Sequence, residues 1–149
     1  MSYANDMSPQ RADADLASSL RLSVMRLARR LRLEKSSDSL SMNQLAALGT
    51  LNRCGDLTVG ELAGIEKVKP PSMTRTINSL ADAGLVTRQA HPTDGRQVLV
   101  GLTPDARQVL EEDRRRRDAW LAKRLADLSP DQRALLHDVA PLLDALAST

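Results

Sequence analysis

The sequence has no phenylalanine, one tyrosine and one tryptophan, and two isoleucines beside eight valines. Aromatic and β-branched residues suit a pleated, half-buried surface, so their scarcity argues against a β-sandwich or barrel. A single cysteine leaves no intramolecular disulfide framework and no cysteine-rich zinc site. No run of residues approaches the ~18 consecutive apolar positions of a membrane span. Residues 1–12 are polar, without the apolar core of a secretory signal, and are expected to form a flexible leader of a cytoplasmic protein. Seven glycines and seven prolines are too few for a low-complexity chain. An excess of one charge is also missing: 21 Lys and Arg face 19 Asp and Glu, a net of +2. Any nucleic-acid contact must therefore come from where the charges sit.

What the chain does have is leucine and alanine, 25 and 19 of its 149 residues. Both are strong helix formers, and a chain of this length buries roughly two-thirds of its unfolded surface without staples. The expected fold is mainly α. Leu16, Leu20, Val24, Leu27 and Leu31 recur at helical spacing and place a helix over 13–33, followed by a polar loop up to residue 40. Ser41 with Gln44 reads as a capping box, and Leu40 with Leu45 as its hydrophobic staple; Thr58 with Glu61 and Leu57 with Leu62 repeat the pair. Ser129 with Gln132 is a third box, and Thr103 caps a helix that has Pro104 at its first position. These signals set helices at about 41–53, 58–65, 104–127 and 130–147, the last kinked by Pro141. A further helix spans 69–84, with Pro70 and Pro71 in its first turn, Met73, Ile77, Leu80 and Gly84 on the buried side, and Gly84 as its left-handed terminator. The sole β-like stretch predicts a hairpin with strands near 85–90 and 97–102 around a turn at 92–95.

Short helix, longer helix, then hairpin is the order of a winged helix-turn-helix. The fold expected is thus mainly α with a small β-hairpin wing: a leader over 1–12, a helix and loop over 13–40, a DNA-binding unit over 41–103 and C-terminal helices over 104–149. The helices at 13–33, 104–127 and 130–147 carry more leucine and alanine than one small winged-helix core can cover, so 13–40 and 104–149 are expected to serve dimerisation. The outer face of the 69–84 helix presents Thr74, Arg75, Asn78 and Ser79, with Ser72 beside them, and no acid occurs from Lys67 to Ala81 while Lys67, Lys69 and Arg75 occur. Arg can grip guanine edges, Asn adenine, and Ser or Thr phosphates. The candidate DNA-binding residues are Lys69, Ser72, Thr74, Arg75, Asn78 and, at the hairpin tip, Arg96, which suits a narrow, electronegative minor groove. Asp94, two residues before Arg96, is placed to orient it.

Several segments carry the pattern of a known family: TVGELA at 58–63, PSMTRTINSL at 71–80, AGLV at 83–86, DGR at 94–96 and VGLT at 100–103. Together they resemble the MarR family of bacterial winged-helix regulators, over about residues 15–147. The most specific element is Asp-x-Arg with Leu-Thr beginning six residues after the Arg. The resemblance implies that Ser72, Thr74 and Arg75 lie on the recognition helix, and that Arg96 is the wing arginine with Asp94 as its partner. It implies a homodimer that binds double-stranded DNA, acts as a repressor, and is released by a small, often phenolic, effector.

Other features carry less. The arginines at 114–117 point around a whole helix circumference and are flanked by Glu111, Glu112, Asp113 and Asp118, which suits ion pairing better than DNA. Cys54 reads as a small buried hydrophobe rather than a redox centre. His91 and His137 lie too far apart for a metal site, Trp120 reads as packing, and Tyr3 belongs to the leader. No P-loop, Rossmann, nucleophile-elbow or zinc motif is present, so no enzyme, cofactor or metal is expected. The alternative reading is an architectural DNA-binding or interaction protein without an effector, which would lack a ligand cavity.

Overall fold

A computed structural model describes residues 9–34 and 40–148. In chain order the elements are α1 (Pro9–Leu33), α2 (Met42–Cys54), β1 (Leu57–Thr58), α3 (Val59–Glu66), α4 (Pro70–Asp82), β2 (Val86–Ala90), β3 (Val98–Leu102), α5 (Pro104–Leu125) and α6 (Pro130–Ala147). The mainly helical fold with a small antiparallel sheet matches the expectation.

The helix starts follow their caps. Ser41, Thr58 and Ser129 each form a reciprocal box with Gln44, Glu61 and Gln132, and Thr103 Oγ1 accepts from the Ala106 amide. Both staples are buried: Leu40 and Leu45 under α2, Leu57 and Leu62 under α3. The Thr103 hydroxyl also donates to the Gly84 carbonyl at 2.8 Å, tying the start of α5 to the end of α4.

Four local expectations need correction. Helix α1 begins at Pro9, so residues 9–12 are helix rather than leader; proline fits a first turn, where its missing N–H is not needed. Residues 1–8, including Tyr3, and the 35–39 loop lie outside the described residues. Gly84 is exposed and stands outside α4, but its φ of +72° is the left-handed terminator expected of it. Cys54 is exposed rather than buried. Finally, the hairpin gains a third strand. The two-residue β1 pairs with β3, Leu57 opposite Val100, giving the antiparallel order β1-β3-β2. On the other side Val86 pairs with Leu102 and Ala90 with Val98. Helix α6 runs through Pro141 without a break.

One core holds α2, α3, α4 and the sheet together. Leu48, Leu62, Ile77, Leu80 and Val100 are fully buried in it, with Met73 beside them. Helix α5 reaches this core through Ala106, Val109 and Leu110, and also contacts α1 and α2. By contrast, neither α1 nor α6 contributes a single buried residue. Leu16, Met25, Leu33, Leu135, Leu142 and Leu146 are each more than 60% exposed.

Between α1 and α5 the tryptophan Trp120 lies under two guanidinium groups. Arg124 sits 4.1 Å and Arg30 of α1 5.3 Å from its ring centroid. The arginines at 114–117 pair within α5: Arg114 and Arg115 with Glu111, and Arg117 with the buried Asp113 at 3.0 Å.

Candidate nucleic-acid interface

The turn between α3 and α4 sets the angle at which α4 leaves the core. Lys67 ends α3 with φ 53° and ψ 42°, the one non-glycine residue of positive φ among those described. Its amide and that of Val68 close the helix onto the carbonyls of Gly64 and Ala63. Lys69 then caps α4 in extended conformation without a side-chain hydrogen bond. Pro70 and Pro71 occupy the first turn, where two amides fewer need partners.

Met73, Ile77 and Leu80 anchor α4 in the core and turn Ser72, Thr74, Arg75, Asn78 and Ser79 outward, all exposed, as is Lys69. Thr74 Oγ1 donates to the Pro70 carbonyl at 3.0 Å, which commits its proton and leaves the oxygen as an acceptor. Arg75 has no ion-pair partner among the described residues, so its charge is available to a duplex.

Two bridges were not visible in the sequence. Gln44 uses both ends of its amide: Oε1 accepts from the Ser41 amide at 2.7 Å, and Nε2 donates to Ser79 Oγ at 2.9 Å. Arg88 of β2 donates from Nη1 to Asn78 Oδ1 at 2.6 Å. Helix α4 is thereby held from α2 on one flank and from the wing on the other. The partners are 35 and 10 residues apart, beyond any helical or strand periodicity.

At the wing, the backbone reverses between Ala90 and Val98. His91 N–H donates to the Gln97 carbonyl at 3.0 Å, and Gln97 N–H to the Asp94 carbonyl at 3.0 Å. His91 Nδ1 accepts from the amides of Thr93 and Asp94 at 3.2 and 3.1 Å, a structural role that the sequence reading missed. The Asp94 carboxylate accepts from the Arg96 amide at 3.1 Å. Asp94 thus fixes the backbone from which the exposed Arg96 projects. Toward the base of the hairpin, Gly101 answers a close approach: a Cβ there would stand 2.6 Å from Asp56 Oδ1.

A cavity of about 320 Å³ opens where α1, α2 and α5 meet. Arg32, Arg53 and Arg117 line it together with Glu66 and Asp113. Thr50 organises part of the wall: its hydroxyl donates to Glu66 and accepts from Arg53 Nη2 at 3.1 Å. Among the described residues no three His, Cys, Asp or Glu side chains converge as a metal site would need, and no helix is long and apolar enough to cross a membrane.

Comparison with known proteins gives this geometry a family. The MarR family profile matches residues 40–98, which span α2 to the start of β3. An HTH-type transcriptional regulator of Mycobacterium tuberculosis is 50% identical over 135 residues, covering 91% of this chain and 94% of that protein. The multiple antibiotic resistance protein MarR of Salmonella typhimurium is 31% identical over 99 residues, 66% of this chain and 69% of that one. Among solved structures, a transcriptional regulator protein of Pseudomonas aeruginosa superposes with a TM-score of 0.85 at 35% identity, covering 95% of this chain and 99% of that one. These relatives are regulators and not enzymes, and the helix, turn, helix and wing described above are the parts such a regulator needs. The chain belongs to the MarR family of winged helix-turn-helix transcriptional regulators.

Proposed function

We propose that this regulator acts as a homodimer that reads a near-palindromic duplex, represses transcription there, and releases it when a small molecule occupies the cavity between α1, α2 and α5. The observation that carries this reading is the outer face of α4. It is exposed, free of acid up to Ala81, and bears Arg75 with no ion-pair partner among the described residues, beside a wing whose tip presents Arg96. Arg75, Ser72 and Thr74 enter the major groove, Lys69 meets a phosphate at the helix start, and Arg96 lies in the minor groove.

Dimerisation follows from the apolar surface left on α1 and α6. Leucine faces more than 60% exposed on two helices are costly in water, and a second copy of the chain covers them with twofold symmetry. An obligate interface of this kind buries roughly 2,000 Å² or more. It places the two recognition helices about one turn, roughly 10 base pairs, apart.

The cavity supports effector control over an architectural role. Its arginines come from three different helices, Arg32 from α1, Arg53 from α2 and Arg117 from α5. A small carboxylate or phenolate bridging them alters how α2, and the DNA-binding elements packed on it, sit against α1 and α5. The spacing of the two recognition helices changes with it.

The test is selection of the purified protein against a pool of random-sequence duplexes, then release by a panel of small aromatic and aliphatic acids. Enrichment of an inverted repeat with half-sites about 10 base pairs apart is expected. Binding without sequence preference overturns the regulatory reading in favour of the architectural one. Release by none of the panel, with the cavity also silent in ligand-observed NMR, overturns the effector.

A further inference from the structure

We infer that Arg88 of β2 is a phosphate contact of the DNA interface, and that Asn78 is the residue that positions it rather than a reader of bases. The inference rests on the proposed DNA-binding mode and adds a residue to it.

Asn78 stands on the exposed face of α4, where its amide would suit adenine. Reading adenine takes both ends of that amide, the carbonyl accepting and the NH₂ donating. In the structure the carbonyl end is committed: Oδ1 accepts from Arg88 Nη1 at 2.6 Å. The bond makes more of Arg88 than of Asn78. A guanidinium carries five N–H donors in a planar fork, and a neutral amide leaves its charge uncompensated. Among the described residues no carboxylate forms an ion pair with Arg88, although it is exposed.

Its location fits the role. Arg88 pairs with Val100 in the middle of the hairpin, so it lies between α4 and the wing tip. Major and minor grooves are separated by one sugar–phosphate backbone. A protein that places a helix in one groove and a wing tip in the next straddles that backbone, and a cation between the two faces phosphate. An arginine there loses rotamer freedom on binding unless it is already held. Asn78 holds it before DNA arrives. Ser79, the next residue, is likewise held by Gln44 from the opposite flank, so this turn of α4 is braced on both sides.

The experiment uses the parent protein, Arg88→Gln, Arg88→Lys, Asn78→Ala and the Arg88→Gln/Asn78→Ala double variant. Each is titrated on a duplex selected by the parent and on a scrambled duplex, at several salt concentrations. Thermal melting checks folding. Arg88→Gln is expected to weaken binding to both duplexes and to lower the slope of log affinity against log salt by about two per dimer, one phosphate per subunit. Arg88→Lys keeps the charge but not the fork, and falls between parent and Arg88→Gln. Asn78→Ala weakens the parent without changing base preference and adds nothing in the Arg88→Gln background.

An unchanged salt slope in Arg88→Gln overturns the phosphate contact. An Asn78→Ala effect that persists in the double variant, with relaxed preference at one base pair, overturns the positioning role. Failure of the parent to bind any duplex overturns the DNA reading and this inference together. A parent that binds beside variants that match it overturns the inference alone.

Discussion

Arg75 and Lys69 carry the same charge six residues apart, and in the proposed binding mode they meet different parts of a duplex. Arg75 projects from the middle of α4, whereas Lys69 caps its start. Arg75→Ala is therefore expected to cost about 1–3 kcal/mol per contact and to relax preference at particular base pairs. Lys69→Ala is expected to weaken binding to every sequence and flatten its salt dependence. Titrations on selected and scrambled duplexes separate the two, and parent-like affinity in Arg75→Ala shows that α4 does not read bases. The wing makes a second prediction, in which the sign is the informative part. The Asp94 carboxylate accepts from the Arg96 amide and so sets the turn that projects the Arg96 side chain. Arg96→Ala weakens DNA binding with little change in melting temperature, since the side chain is exposed. Asp94→Ala also weakens it, although it removes a charge that repels phosphate. A tighter Asp94→Ala complex in titrations at fixed salt shows that charge alone matters there. The placement of these residues on an exposed helix face and a turn was legible because helix spacing and a turn motif are local. The engagement of Asn78 by Arg88 and of Ser79 by Gln44 was not, because it depends on how β2 and α2 pack on α4.

At the scale of elements, the sequence carried most where hydrogen bonds are local. Capping boxes at Ser41, Thr58 and Ser129 join residues three apart, so each start falls where its motif stands. Strand β1 escaped notice because its two residues, Leu57 and Thr58, double as staple and cap of α3, and their pairing with β3 lies some 40 residues away. The α3–α4 turn fell where the two helix spans left it, but its left-handed residue escaped because lysine stands where glycine is the usual choice. Lys67 at φ 53° bears a steric cost that glycine avoids. Lys67→Gly is expected to leave stability unchanged or raise it by up to about 1 kcal/mol in denaturant unfolding, because relief of strain offsets the added freedom of the unfolded chain. A clear loss would show that the lysine side chain makes a compensating contact. In α5, the hydrogen bond from Arg114, then its charge and that of Arg115, hold the Glu111 carboxyl below its ordinary value of 4.5. A carboxyl lowered on folding contributes stability above its unfolded value, and that contribution disappears as pH falls through the lowered one. Contact with solvent makes the effect small and sensitive to salt. A carboxylate-resolved NMR titration should find Glu111 low in the parent and shifted back toward the ordinary range in Arg114→Ala, where Arg115 still holds it.

For the whole molecule, the division between a buried core and two uncovered helices is the dominant feature. Helices α2 to α4 and the sheet bury their apolar residues within the chain, while α1 and α6 bury none. The excess of leucine was visible in composition; which leucines stay uncovered was not, since that depends on where α5 directs its neighbours. Leu135, Leu142 and Leu146 recur at seven and four residues along α6, each 63–65% exposed. Leu142→Glu is expected to shift the protein from dimer to monomer in analytical ultracentrifugation at micromolar concentration. Affinity for a two-half-site duplex should fall steeply, because binding of the second half-site is no longer intramolecular. A monomeric parent overturns the dimer. The joint between the two parts has an optical consequence. Trp120 is the chain's one tryptophan, and its ring lies beneath a guanidinium from α1 as well as one from its own helix. Its emission therefore gauges the gap between α1 and α5 without any dye. Any event that slides those helices past each other is written into the fluorescence of a single indole.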